Sequence, residues 1–194
     1  MMKLTPEQML KNISARLENI EKAKRGYVAV GLPSEEVGGK VYDNGMTIIR
    51  IGAIHEFGST FMHPGGTSYI ISKGKAVFVS NSFTGPVAGK TKPHMITIPR
   101  RSFLRTPFDG KKDDLTAAIA KQFQDVFERG KSAEQALGLI GTVAVNISKG
   151  AFTTRGYGEW PDITSATKKA KGSSQTLIDT GTLRNSITYV VRGV

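Results

Sequence analysis

SAEQALGLIGTVAVNISKGA, residues 132–151, reads as a helix that belongs inside the protein. Ala136, Leu137, Ile140, Val143, Ala144 and Ile147 recur at spacings of three and four, and little charge interrupts them. Ser132 stands at the N-cap position with Gln135 three residues on, a capping-box pattern. Just upstream, Asp113 to Arg129 sets Leu115, Ile119, Phe123, Val126 and Phe127 along one stripe of a second helix. A third opens at Thr5-Pro6-Glu7-Gln8, again a capping box with proline at the first helical position. It runs from about 6 to 23 with Met9, Leu10, Ile13, Leu17 and Ile20 on one face, and Gly26 stops it.

The remaining signals are mixed. YVAVGL (27–32) predicts a strand, followed by a Gly-rich loop and a turn at Asp43-Asn44-Gly45. Thr47 to Phe57 has β-branched residues, yet Ile51, Ile54, His55 and Gly58 keep helical spacing, so a helix ended by Gly58 is expected. SYIISKGKAVFVSN predicts a hairpin around Lys73-Gly74-Lys75, within an inserted arm spanning 61–97. An isolated hairpin is marginal in water, so the arm should lie on the body or on a neighbouring subunit. A Lys- and Ser-rich stretch, 168–175, reads as mobile, and the chain closes with a short turn and a strand through Ile187, Tyr189 and Val191. The expected class is α+β: one domain (1–194) with a small mixed or antiparallel sheet, two or three long helices and a protruding β-hairpin arm.

Composition narrows the function. The chain has 194 residues, 39% hydrophobic and 22% charged, with no apolar run near the ~18 residues of a membrane span. Its first residues lack the apolar core of a secretory signal, and with no cysteine there is no disulfide framework or thiolate metal site; intracellular synthesis is the expectation. The net charge is +11, and no acidic residue falls between Glu56 and Asp109, where Lys73, Lys75, Lys90, Lys92, Arg100, Arg101 and Arg105 form a candidate basic patch. The plainer reading is a solvated basic face.

His55-Glu56 resembles the start of a zinc-protease helix, but the second histidine that chemistry needs, one turn on, is replaced by Ser59. His63 and His94 each adjoin a proline in a loop and add no metal spacing. No G-x-S-x-G elbow, P-loop or G-x-G-x-x-G is present, so the reading is a non-enzyme without catalytic residues, cofactor or metal.

Three segments in order, AIHEFGS (53–59), IPRRSFLR (98–105), and near the C-terminus WPDITSATK (160–168) followed by LIDTGTLRNSI (177–187), resemble the signature of the tail-completion, or virion morphogenesis, proteins of tailed bacteriophages. The resemblance covers the chain from about 27 to its end. It implies a structural virion protein at the head-proximal end of the tail: a homo-oligomeric ring, a hexamer among its options, that terminates the tail and joins it to the capsid neck. The partners implied are copies of itself, the tail tube or terminator and the neck connector, with passing contact with DNA and no membrane. Its location would be the tail–neck region of the virion, after assembly in the host cytoplasm. Three departures stand out: Ser102 where the family carries proline, Pro161 directly after Trp160, and the long stretch from Phe61 to Thr97.

Read physically, these blocks should pack. Phe57 is expected to anchor in the core, with His55 and Glu56 bonding a neighbouring loop. Pro99 gives that loop an extended start, Phe103 and Leu104 bury, and Arg100, Arg101 or Arg105 pairs with Glu56. Asp179 should cap the turn formed with Thr180 and Gly181 by accepting the Gly181 and Thr182 N–H groups. Leu177, Leu183 and Ile187 should pack inward, with Arg184 left outward. Trp160 should anchor its loop. The alternative function is a nucleic-acid-binding module using the basic, acid-free segment 57–108, whose Phe61, Tyr69, Phe78 and Phe103 interleave with lysines and arginines, although those aromatics are expected to be mostly buried.

Overall fold

The structure, a computed structural model, describes residues 5–42, 45–172, 174–178 and 180–194. In chain order its elements are α1 (Pro6–Arg25), β1 (Tyr27–Gly31), α2 (Ser34–Val37), α3 (Ile48–Phe57), β2 (Ser59–His63), β3 (Ser68–Ser72), β4 (Lys75–Phe78), β5 (Gly89–Lys90) and β6 (His94–Ile98). There follow α4 (Arg105–Gly110), α5 (Lys112–Arg129), α6 (Ala133–Thr154), α7 (Ser165–Lys171), α8 (Thr182–Ser186) and β7 (Thr188–Arg192). The fold is α+β, and every strand pairing is antiparallel. The chain divides into two units, Met1–Phe57 with Arg100–Val194, and Gly58–Pro99.

In the first unit α6 is the organiser. Ser132 accepts the Gln135 N–H at 3.2 Å and starts the helix, and its residues from Ala133 to Phe152 are buried at helical spacing. By length and composition α6 is apolar enough to cross a bilayer, which the sequence reading did not expect. Here its apolar side is covered by β1, β7, α5 and α1. β1 and β7 pair in register, Tyr27 with Arg192 through Gly31 with Thr188. Gly141 lets this ribbon approach α6, since a side chain there would overlap the Tyr189 ring. Phe103, Phe152, Trp160, Ile48, Leu183 and Ile187 form the main core. A second cluster, Ala23, Val126, Ala133 and Ala136, fastens the end of α1 to α5 and α6. Thr5 and Gln8 make the reciprocal capping box of α1, at 3.2 and 2.9 Å.

The second unit contains two small sheets, β2 with β6 and the three-stranded β4-β3-β5. Lys73 and Gly74 both take positive φ, 50° and 73°, forming the two-residue turn expected of a tight hairpin. Among its described residues no side chain is buried: Phe61, Met62, Ile71, Val77, Phe78 and Met95 are all exposed.

Two expectations change, and one falls outside the described residues. Phe61 and Phe78 were expected to be buried, but both are exposed, in a unit whose two- and three-stranded sheets bury no side chain among the described residues. Part of the Lys- and Ser-rich stretch read as mobile is the helix α7, because Thr164 accepts the Thr167 N–H at 3.2 Å and supplies its cap. Asp43 and Asn44 of the expected turn lie outside the described residues.

Candidate functional site

Residues of three of the segments singled out by sequence, around Glu56, Ser102 and Trp160, meet at the end of α3. One turn of helix carries His55 and Glu56 to its C-terminus, and Gly58, at φ 76°, lets the chain turn away there. Glu56 is 6% exposed and faces the loop that precedes α4. One carboxylate oxygen, Oε1, accepts the Ser102 hydroxyl at 2.7 Å and the Arg105 N–H at 3.1 Å. The other, Oε2, accepts the N–H groups of Phe103 and Leu104 at 2.8 and 3.0 Å. Four donors on one carboxylate satisfy backbone N–H groups that a helix start leaves without partners.

The expected arginine partner is therefore wrong. The first helical turn of α4 and the N–H groups before it fill the carboxylate, leaving no room for a guanidinium. Arg101 is buried elsewhere, donating to the carbonyls of Pro161 and Asp162 at 3.2 and 3.4 Å. Burial pulls its guanidinium below the usual range, and the Asp162 charge opposes that pull. Arg100 is exposed, 3.5 Å from the Thr106 hydroxyl, and Arg105 contributes only its backbone to Glu56.

Further bonds brace the loop. The Ser102 hydroxyl, while donating to Glu56, accepts the Thr106 N–H at 3.0 Å, and the buried Ser148 hydroxyl of α6 donates to the Phe103 carbonyl at 2.7 Å. The Trp160 indole N–H donates to the Ser102 carbonyl at 2.8 Å. Its ring meets Phe152 edge-on at 5.5 Å, and Phe152 meets Phe103 at 5.6 Å. Trp160 is thus the anchor expected of it. Ser102, Ser148 and Thr106 were missed by the sequence reading; the only available signal for Ser102 was its place before the first residues of a short helix.

Phe57 reverses its expected role. It is 67% exposed, because Glu56 and Phe57 are about 100° apart on the helix and the inward direction belongs to the carboxylate. The His55 backbone carbonyl accepts the Arg101 N–H at 2.7 Å, while the ring Nδ1 is buried without a hydrogen-bond partner among the described residues. Burial, with the nearby Arg101 charge, pushes its imidazole down to about 4. Pro99 is exposed, Leu104 half-buried and Phe103 fully buried.

In the C-terminal block Leu183 and Ile187 are buried and Leu177 packs half-buried against the core. Asp179, the expected cap, lies outside the described residues; the Thr182 N–H is bonded by the Thr180 hydroxyl at 3.3 Å, and Gly181 takes φ 78°. Arg184, expected outward, is half-buried, and its Nε donates to the Lys149 carbonyl of α6 at 3.4 Å.

Lys73, Lys75, Lys90 and Lys92 are exposed. The two-residue period of a strand divides the interleaved sequence between faces: Tyr69, Ile71, Ala76 and Phe78 share one, while Ile70, Val77, Lys75 and Ser72 share the other. Aromatic rings and lysines of this hairpin do not form one stacking surface.

Among the described residues no group of three His, Cys, Asp or Glu side chains could hold a metal ion. Both oxygens of Glu56 are occupied by donors of its own chain, so this cluster is a structural clamp, with His55 neutral beside it. No family model, curated protein or solved structure matches the chain.

Proposed function

We propose that this protein is a structural subunit of a tailed-phage virion, which self-associates as a ring at the head-proximal end of the tail and joins it to the neck. The observation that carries the reading is where the signature residues are spent. H-E-F-G, I-P-R-R-S-F and the Trp160 block are tied together by hydrogen bonds that rigidify one corner of the body, and both oxygens of Glu56 are taken up by donors of its own chain. Exposed apolar side chains on α1 and throughout Gly58–Pro99 supply surface for association instead.

The test is the mass of the purified chain by light scattering across a concentration series, with electron microscopy of the largest species. A discrete ring is expected. A monomer at every concentration would overturn the proposal.

A further inference from the structure

Gly58–Pro99 carries two of the chain's three histidines, and they stand opposite each other on one ladder. His63 ends β2 and His94 begins β6; the register pairs them, and their ring centroids lie 5.0 Å apart, tilted by 30°. Two different backbone bonds fix their protons. The Gly65 N–H donates to His63 Nδ1 at 3.0 Å, so that nitrogen carries no proton. His94 Nδ1 lies 2.9 Å from the Lys92 carbonyl, which can only accept, so that nitrogen carries one.

Both bonds sit at the passage between the two small sheets of this unit. The chain leaves β2 for β3 through 64–67 and returns from β5 to β6 through 91–93. These two crossings are laced together. The Gly66 N–H donates to the Thr91 carbonyl at 2.8 Å, the Thr91 N–H to the Thr67 carbonyl at 2.9 Å, and the Thr67 N–H to the Thr91 hydroxyl at 3.1 Å. Gly65, at φ 81°, lies so close to the Thr91 and Lys92 carbonyls that a Cβ there would overlap both.

We propose that the His63–His94 pair is an acid-released latch on this joint: neutral His63 holds Gly65 in place, and protonated His63 lets it go. The two rings respond differently to a proton. His94 gains one on Nε2 and keeps its bond to Lys92, whereas His63 can gain one only at Nδ1, from which the Gly65 N–H must leave. Two charged rings would then face each other across a ladder, where like charges repel. No charge of the unit offsets them. Its other charged side chains are Lys92 in the return crossing, Lys90 at the end of β5, and Lys73 and Lys75 at the far turn of the hairpin; Tyr69 is its only other titratable group, and it has no Asp or Glu. Water reaches the pair, since His63 is half-buried and His94 exposed. Histidine changes charge between about pH 5 and 8, so the latch is shut above that range and released as pH falls through it. Release frees the β4-β3-β5 sheet, with Tyr69, Ile71 and Phe78 on one face, to turn against the β2–β6 ladder.

Hydrogen exchange of the full chain, read by mass spectrometry as protection relative to the intrinsic rate at each pH, tests the latch with two variants that do not titrate. His63→Asn places an amide oxygen where Nδ1 accepts, and His94→Asn places an amide N–H where Nδ1 donates. In the parent, residues 61–70 should lose protection by ~5-fold or more between pH 7.5 and 5.0, the equilibrium effect of one ordinary hydrogen bond, while α6 keeps its own. His63→Asn should hold its protection at both pH values, and His94→Asn should still lose it. No loss in the parent, or an equal loss in His63→Asn, overturns the latch. A loss abolished by His94→Asn alone would assign the response to the His94 charge and overturn the role of the Gly65 bond. A loss spread equally over α6 would be unfolding of the body, and would overturn a local release.

Discussion

The Ser102 hydroxyl donates to the Glu56 carboxylate at 2.7 Å across 46 residues of sequence, and Glu56 holds three backbone N–H groups as well. Glu56→Gln keeps the shape, removes the charge and turns an NH2 group towards donors. A loss of about 3 kcal/mol is expected in denaturant unfolding, with Glu56→Ala at least as damaging. A change below about 0.5 kcal/mol would show the clamp to be dispensable.

Trp160→Phe retains the ring against Phe152 but deletes the indole N–H, stranding the buried Ser102 carbonyl. The expected cost is about 1–3 kcal/mol beyond the small volume change. A double-mutant cycle with Ser102→Ala should show coupling, because both residues brace one turn; strict additivity would separate them.

His55 gives a pH dependence of definite sign. Its folded value near 4 lies below the ordinary 6.5, so between these values the unfolded chain binds the extra proton. Stability should be full above about pH 6.5 and fall as pH drops towards 4, by roughly 2–3 kcal/mol after allowing for partial solvent screening. Unfolding curves of the parent and His55→Gln at pH 7.5 and 4.5 check this. The variant should flatten the dependence over that window, and an unchanged slope would assign it to other groups.

Gly141→Ala sets two effects against each other. Alanine inside a helix favours α6 by about 1 kcal/mol, yet its methyl group would overlap the Tyr189 ring. Packing should win because the ring is carried by a paired strand, giving a net loss of about 1–2 kcal/mol. A stabilised variant would mean that β7 shifts freely over the helix.

Local order was legible where a residue's role depends on its near neighbours. The Thr5 capping box, the Gly58 stop and the Lys73-Gly74 turn follow from a few adjacent residues, and the spacing of Ala136, Leu137, Ile140 and Ala144 announced a buried helix. The clamp was only half legible. A carboxylate near arginines invites an ion pair, but geometry matched Glu56 to backbone N–H groups, whose positions depend on a helix start 46 or more residues away. Phe57 misled for a related reason: hydrophobicity marks a residue as able to bury, while the helix phase fixed by Glu56 turned it outward.

The bond between the His55 carbonyl and the Arg101 N–H, 2.7 Å long, joins the points where the chain leaves the first unit and re-enters it. With that doorway held by Glu56, the roughly 40 residues between become an interchangeable cassette, since each doubling of a flexible insert's length costs only about 0.6 kcal/mol in closure entropy. Changes of length within Gly58–Pro99 therefore cost the body little closure entropy so long as that doorway holds.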